Sequence, residues 1–231
     1  MSISILDTLC PSQIVQIQSM SSGFPVLEAD LFALCEQNGA VCSAAAFIQE
    51  DEMTYECYAF TKPEFRRQGM FSELLDTAIE ELPEDVEFTF YTNGKDSDTL
   101  ETLAALEAEL VQEEHMMEID LSDWTGSHCD LPINMEACDI DGTVTWSYSN
   151  PNGTVNISVF SSYYYLYGFE IKEELRGHGH GTVFLGQVLT DLTKRNPLPM
   201  RLQVSGDNVP ALALYKKTGF QITETLFGYL Y

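Results

Sequence analysis

The stretch LRGHGHGTVFL, Leu175 to Leu185, sets Gly177, Gly179 and Gly181 and two histidines beside Arg176 and then turns apolar. This spacing suits a turn that feeds a helix N-terminus. The first amides of a helix have no intrahelical partner and lie under the positive end of the helix dipole, so they attract an anion. Glycines there remove the Cβ atoms that would hold a diphosphate at a distance. Other chemistries fit less well. A Walker-type loop needs Gly-Lys-Ser/Thr, and Gly181-Thr182 comes without the lysine. A dinucleotide fingerprint needs a third glycine where Thr182 stands. His178 and His180 supply two ligands where a closed zinc site takes four, and His115 and His128 have no useful spacing to them. No metal is expected.

A second stretch, LQVSGDNVPALALYKKTGF from Leu202 to Phe220, ends a strand-like run with a helix signature. Asn208 suits an N-cap, Pro210 an early helical position that needs no N–H, and Gly219 a C-terminal stop. Tyr215, seven residues past Asn208, is either a core aromatic or a phenol that can give a proton. The residues alone leave both readings open.

The elements that must carry these residues occur twice. Phe65–Leu82 and Leu175–Leu192 match at an offset of 110 positions: Arg66 and Gly69 recur as Arg176 and Gly179. Leu74, Leu75, Ala78, Ile79 and Leu82 recur as Phe184, Leu185, Val188, Leu189 and Leu192, the apolar stripe of a helix packed on a sheet. The histidines do not recur; Gln68 and Met70 hold their places. Upstream, LFALCEQ and AVCSAAAFIQ flank Asn38-Gly39, and INMEACDI and TVTWSYS flank Asp141-Gly142, both hairpin signals. MTYECYAFT closes the first set of strands, and TVNISVFSSYYYLYGFEI reads as the last strand of the second. In its run Tyr163, Tyr164, Tyr165 and Tyr167, alternate rings belong on opposite faces, half of them in the core. VEFTFYTN and MRLQVS follow the two helices, each with a further helix and then VQEEHMMEIDL or QITETLFGYLY. SDWTGSHCDLP, Ser122 to Pro132, reads as a linker.

The net charge of −25 argues against general affinity for nucleic acid or anionic membranes. It is uneven: residues 1–121 hold 4 Lys/Arg against 25 Asp/Glu, and residues 122–231 hold 7 against 11. An anionic ligand therefore meets less repulsion in the second half. Surface acid also serves solubility, and it suits a cationic ligand. The six cysteines show no CxxC pairing and no secretory leader or long apolar run is evident, so reduced thiols and a cytoplasmic location are expected, with no membrane partner.

Taken in order with a strand between them, the two stretches resemble the GNAT superfamily of acyl-CoA N-acyltransferases. Its R/Q-x-x-G-x-G/A motif is matched by Arg176, Gly179 and Gly181, and its N-x-x-A-x-x-L-Y-x-K-x-G-F motif by Asn208, Ala211, Leu214, Tyr215, Lys217, Gly219 and Phe220. The resemblance implies an α+β chain of two GNAT-like domains, each a mixed, mainly antiparallel sheet flanked by helices. The divisions expected are a degenerate N-terminal copy over 1–121, a linker over 122–133, and a domain carrying the acetyl-CoA site over 134–231. Carrying the offset of 110 forward puts Asp98, Ala105 and Glu109 at the places of Asn208, Tyr215 and Gly219, and Phe71 at that of Gly181.

The activity implied is transfer of an acetyl group from acetyl-CoA to a primary amine by direct attack. Arg176, Gly177, His178, Gly179, His180, Gly181 and Thr182 would hold the diphosphate, with Asn208 and Tyr215 also at the cofactor. The pantetheine would lie along Phe169, Glu170 and Ile171, where the strand parts from its neighbour. Tyr215 would be general acid to the CoA thiolate and Glu170 the candidate base. The acceptor is an amine, and the protein is a monomer with an internal pseudo-dyad or a homodimer. The other implied role is a non-catalytic acyl-CoA-binding sensor or scaffold.

Overall fold

Residues 1–126, 132–140 and 142–231 are described in a computed structural model of the chain. Two compact units emerge: residues 1–111 with 228–231, and residues 112–227.

The first unit begins with β1 (Ser2–Leu6) and α1 (Pro11–Met20), continues with β2 (Leu31–Gln37), β3 (Ala40–Gln49) and β4 (Thr54–Thr61), and then has α2 (Met70–Glu81), β5 (Glu87–Thr92) and α3 (Ser97–Ala105). Strands β1 to β4 are antiparallel neighbours in chain order, and β5 joins β4 in parallel. The Asn38-Gly39 hairpin forms as expected, both residues having positive φ (52° and 79°). The apolar stripe of α2 buries Leu74, Leu75 and Ala78 with Phe47, Cys57 and Phe88 of the sheet. On the other face Ile17 of α1 lies in a cluster with Leu34, Val41, Ala44 and Ala46. The ends of the chain meet the sheet here too: Tyr231 and Phe88 exchange backbone hydrogen bonds of 3.0 and 2.8 Å.

The second unit takes most of β6 (Glu109–Asp120), then β7 (Asn134–Ile140), β8 (Thr143–Asn150), β9 (Gly153–Val159) and β10 (Tyr164–Ile171), followed by α4 (His180–Arg195), β11 (Pro199–Ser205), α5 (Val209–Lys217) and β12 (Gln221–Leu230). The strand order is β7-β8-β9-β10-β11-β6-β12, with only the β10–β11 pair parallel among the registers that follow this order up to β6. Phe184, Leu185, Val188, Leu189 and Leu192 of α4 are fully buried against this sheet. Each such side chain contributes about 1.5–3 kcal/mol relative to exposure, which makes α4 the principal anchor of the turn that precedes it.

One expectation changes. The run TVNISVFSSYYYLYGFEI is two antiparallel strands, β9 and β10, because Phe160 N–H closes on Tyr163 O at 3.0 Å and reverses the chain between them. The division between the compact units at 111 lies inside β6, which pairs with β11 from Glu114–Ser205 to Asp120–Pro199. Just before the segment from Ser122, Leu121 is fully buried, and within it Trp124 packs on the core and donates its indole N–H to Thr190 Oγ1 at 3.1 Å. Residues 127–131, with His128 and Cys129, and Asp141 of the expected Asp141-Gly142 turn lie outside the described residues.

Candidate active site

Strands β10 and β11 pair over three registers only, Tyr164–Met200, Tyr165–Arg201 and Leu166–Leu202, although β10 runs on to Ile171 and β11 to Ser205. The last five residues of β10 thus lose their parallel neighbour. A register shift between Tyr167 and Glu170 on the β9 side marks a bulge, with Gly168 at φ 60°. A bulge bends its strand and re-aims the residues beyond it. Sequence reasoning missed the residue that permits this geometry. A Cβ on Gly153 of β9 would stand 2.1 Å from the carbonyl oxygen of Glu170, so only glycine lets β9 close on the bulged strand. The signal was Asn152-Gly153, a turn dipeptide between two strand-like runs.

Beyond Ile171 a short 3-10 turn, Glu173–Leu175, leads into the glycine turn. Gly177 and Gly179 take φ of 75° and 83°, Gly179 serving as N-cap of α4. Among the described residues no backbone hydrogen bond uses the amides of Gly177 to Thr182; the first is Val183 N–H to Gly179 O at 3.2 Å. Six consecutive donors thus have no backbone partner, an arrangement suited to an anion. Arg176 has a structural part here, since its Nε–H donates to Ile171 O at 2.9 Å and ties the turn to the strand end. Its terminal guanidinium nitrogen is 3.8 Å from Glu170 Oε1. His178 donates from Nδ1 to Arg176 O at 2.7 Å, and His180 Nδ1 accepts from the Asn152 amide at 3.2 Å, so both rings brace the turn.

Helix α5 closes the other side. Leu214 would touch a Cβ on Gly181 at 3.5 Å, which brings α5 against the first turn of α4. Asn208 is the N-cap, its Oδ1 accepting from Ala211 N–H at 3.2 Å. Tyr215 is buried, its ring edge-to-face with Phe169 at 6.4 Å and Phe220 at 5.6 Å, while Phe169 stacks on Phe184 at 5.8 Å. Among the described residues the Tyr215 hydroxyl has no hydrogen-bond partner, yet no fully buried side-chain oxygen or nitrogen lacks one, so the hydroxyl reaches solvent. Burial raises its pKa to about 12, so it is a neutral phenol at neutral pH.

Phe169, Ile171, Gly181, Leu214 and Tyr215 therefore converge on one face of the strand end. Glu170 does not join them. Alternation turns it to the opposite face, and its side chain is 72% exposed. Of the tyrosine run, Tyr164 is buried and donates to Asn196 O at 3.1 Å, while Tyr163 lies under the Arg201 guanidinium at 4.8 Å and Tyr167 is exposed.

A family model described as the acetyltransferase (GNAT) family matches residues 103–220, more than half of the chain. The chain belongs to this family. A GCN5-related N-acetyltransferase from Sphaerobacter thermophilus superposes with TM-score 0.59 at 12% identity, over 99% of this chain and 95% of that one. A tandem GNAT protein of the clavulanic acid biosynthesis pathway gives 0.58 at 14% identity, covering 98% and 89%. A GCN5-related glucosamine N-acetyltransferase region of a fungal multi-domain GH3 β-N-acetylglucosaminidase gives 0.63 at 10% identity, covering 99% and 38%. At these identities the likeness is one of fold. No curated protein sequence matches the chain. Among the described residues no helix is long and apolar enough to cross a membrane.

Two GNAT-like units are thus present, and the structure corrects how their residues correspond. Helices α3 and α5 have nine residues each, capped by Asp96 and Asn208, so the offset at this point is 112. Leu103, buried, stands at the place of Tyr215, and Glu107, at φ 58°, at that of Gly219. The first unit accordingly has no tyrosine at that position. Its β4 also pairs with β3 without a register shift, so it lacks the bulge.

Proposed function

We propose that the second unit binds an acyl-CoA, acetyl-CoA above all, and transfers its acyl group to a primary amine in the cytoplasm. The observation that carries this is the parted strand end: β10 leaves β11 after Leu166, and its free edge runs between the unpaired amides of Gly177 to Thr182 and the phenol of Tyr215. An extended chain of amides suits such an edge by strand-like pairing, and a diphosphate suits the amide cradle.

The residues then divide the work. Gly177 to Thr182 hold the diphosphate through backbone N–H groups, with His178 and His180 bracing that turn. Phe169 to Ile171 hold the pantetheine, and a backbone N–H at the bulge polarises the thioester carbonyl as the amine nitrogen adds to it. The C–N bond forms, the C–S bond breaks, and the proton lost by the amine passes to Glu170, through water, on the opposite face of the strand. Tyr215 faces the departing sulfur and donates to it. A thiol of ordinary acidity, near ~8.5, is a stronger acid than this phenol. Tyr215 therefore works chiefly through a hydrogen bond that strengthens as negative charge gathers on sulfur, with CoA the thiol product once protons re-equilibrate. Asn208 fixes α5 and with it the position of Tyr215.

The test is release of CoA from acetyl-CoA across a panel of primary amines, with polyamines and aminoglycoside-like amines included and Tyr215→Phe as control. Acetyl-CoA raises the melting temperature and at least one amine releases CoA if the proposal holds. Stabilisation without turnover against any amine would favour a non-catalytic acyl-CoA-binding module, and no stabilisation would remove both readings.

A further inference from the structure

The first unit has a cleft where the second has its candidate active site. Strands β4 and β5 pair in parallel only from Thr54–Glu87 to Glu56–Thr89. Beyond that point lies a cavity of about 610 Å³ whose lining includes Ala59, Thr61, Arg66, Gly69, Phe90 and Asp98. The turn at its mouth keeps the backbone of its counterpart. Arg67 and Gly69 have φ of 59° and 79°, against 75° and 83° at Gly177 and Gly179. Arg66 Nε–H donates to Thr61 O at 3.0 Å, as Arg176 does to Ile171 O. The first turn-closing bond, Glu73 N–H to Gly69 O at 3.0 Å, repeats that of Val183 to Gly179. Phe71, in the place of Gly181, packs its ring edge-to-face on Phe90 at 6.3 Å. The anion cradle is therefore present in outline.

The side chains over it differ. Arg67 stands where the second unit has Gly177, and it holds a left-handed conformation disfavoured for any residue with a Cβ. From there one guanidinium nitrogen reaches Asp98 Oδ1 at 3.0 Å and Glu101 Oε2 at 2.8 Å, while Arg66 reaches Asp98 Oδ2 at 2.8 Å. Asp98 and Glu101 lie on the first two turns of α3, and by the helix correspondence their places in α5 are Pro210 and Ala213. The second unit cannot build this contact. In the first, two cations and two carboxylates cancel at the mouth of the cradle. Arg67, and then Arg66, hold the Asp98 carboxyl below its usual range, so the contact stays charged through neutral pH.

We propose that this ion-pair strap, Arg66 and Arg67 to Asp98 and Glu101, closes the first unit's cleft to the diphosphate of an acyl-CoA and so confines the donor to the second unit. The proposal rests on the acyl-CoA reading of the second unit. Without the two carboxylates, two guanidinium groups would stand uncompensated over a helix N-terminus, an arrangement that attracts diphosphate. Exposed ion pairs contribute little to folding, so the strap can be removed with the fold intact.

Hydrogen–deuterium exchange of the full chain, with and without CoA at low ionic strength, reads the two turns separately. In the unsubstituted protein CoA protects residues 173–183 and leaves 63–73 unchanged. In Asp98→Asn/Glu101→Gln, CoA also protects 63–73, with affinity at that turn at least about tenfold above the unsubstituted protein. Protection of 63–73 in the unsubstituted protein overturns the proposal. So does its absence in the double variant while residues 97–105 exchange as slowly as before. Should those residues exchange faster in the double variant, the single Asp98→Asn decides by the same criterion. Failure of CoA to protect 173–183 counts against the acyl-CoA reading of the second unit and leaves the comparison at 63–73 decisive for the strap.

Discussion

Phe169 and Tyr215 meet edge to face, their ring centroids 6.4 Å apart. This contact joins the parted end of β10 to helix α5 and sets a phenol beside the strand edge proposed to hold the acyl donor. Removing the hydroxyl while keeping the ring separates chemistry from packing. Tyr215→Phe is expected to lower kcat about 100-fold, with KM for acetyl-CoA within a few-fold and the urea midpoint almost unchanged. Tyr215→Ala also empties part of the core and is expected to cost about 3–5 kcal/mol of stability, read from denaturant unfolding.

Tyr215 also carries an alkaline signature. Its folded pKa is raised to about 12 from an ordinary 10, so the native state holds a proton that the unfolded chain gives up above pH 10. Its contribution is fully present below pH 10 and is lost as pH climbs to about 12. Between those limits the unsubstituted protein should lose stability more steeply than Tyr215→Phe, by about 2–3 kcal/mol in total. Parallel curves for the two proteins in that window would remove the effect.

Gly153 and Glu170 form the second critical approach. A methyl at Gly153 would lie 2.1 Å from Glu170 O, and backbone cannot yield as a flexible side chain can. Gly153→Ala is expected to destabilise by about 1–3 kcal/mol and to weaken acetyl-CoA binding, because the end of β10 must move. Thermal shift with and without acetyl-CoA measures both; an unchanged ligand shift would show that the strand end does not hold the donor.

Glu170 is a candidate base on the face away from Tyr215. Glu170→Gln should lower kcat/KM for the amine about tenfold or more near neutral pH while leaving KM for acetyl-CoA alone. Full retained turnover would pass the proton to solvent without this carboxylate.

Ile79 and Leu189 share a position in the repeated stripe but not an environment. Leu189 is fully buried, whereas Ile79 is 37% exposed. Leu189→Ala is expected to cost about 2–5 kcal/mol, and Ile79→Ala well under half as much. Denaturant unfolding of the two variants makes the comparison.

The repeat was legible in the sequence because its signals are local. Arg-x-x-Gly ahead of an apolar i, i+4, i+8 stripe specifies a turn and a helix wherever the chain runs, and Asn208, Pro210 and Gly219 bound α5 by their own backbone preferences. The strand spans LFALCEQ and AVCSAAAFIQ were legible for the same reason. The turn at 160–163 was not, since Ser161-Ser162 is a weaker turn signal than glycine or proline, and neither of those stands there.

Residue types and spacing by themselves determined two α+β units, a glycine-turn cradle, and a tyrosine two helical turns beyond an N-cap. Tertiary structure alone decided what those residues face. Offset 110 holds at the glycine turns but becomes 112 at the following helices, so Leu103 rather than Ala105 takes the tyrosine's place. Two added residues between matched helices leave no mark in an apolar pattern that restarts at each cap. Whether an arginine turns toward an anion or a carboxylate is likewise a long-range matter. Arg66 meets Asp98 across 32 positions, and charge pairing of that kind follows from where the helices pack, which no local preference encodes.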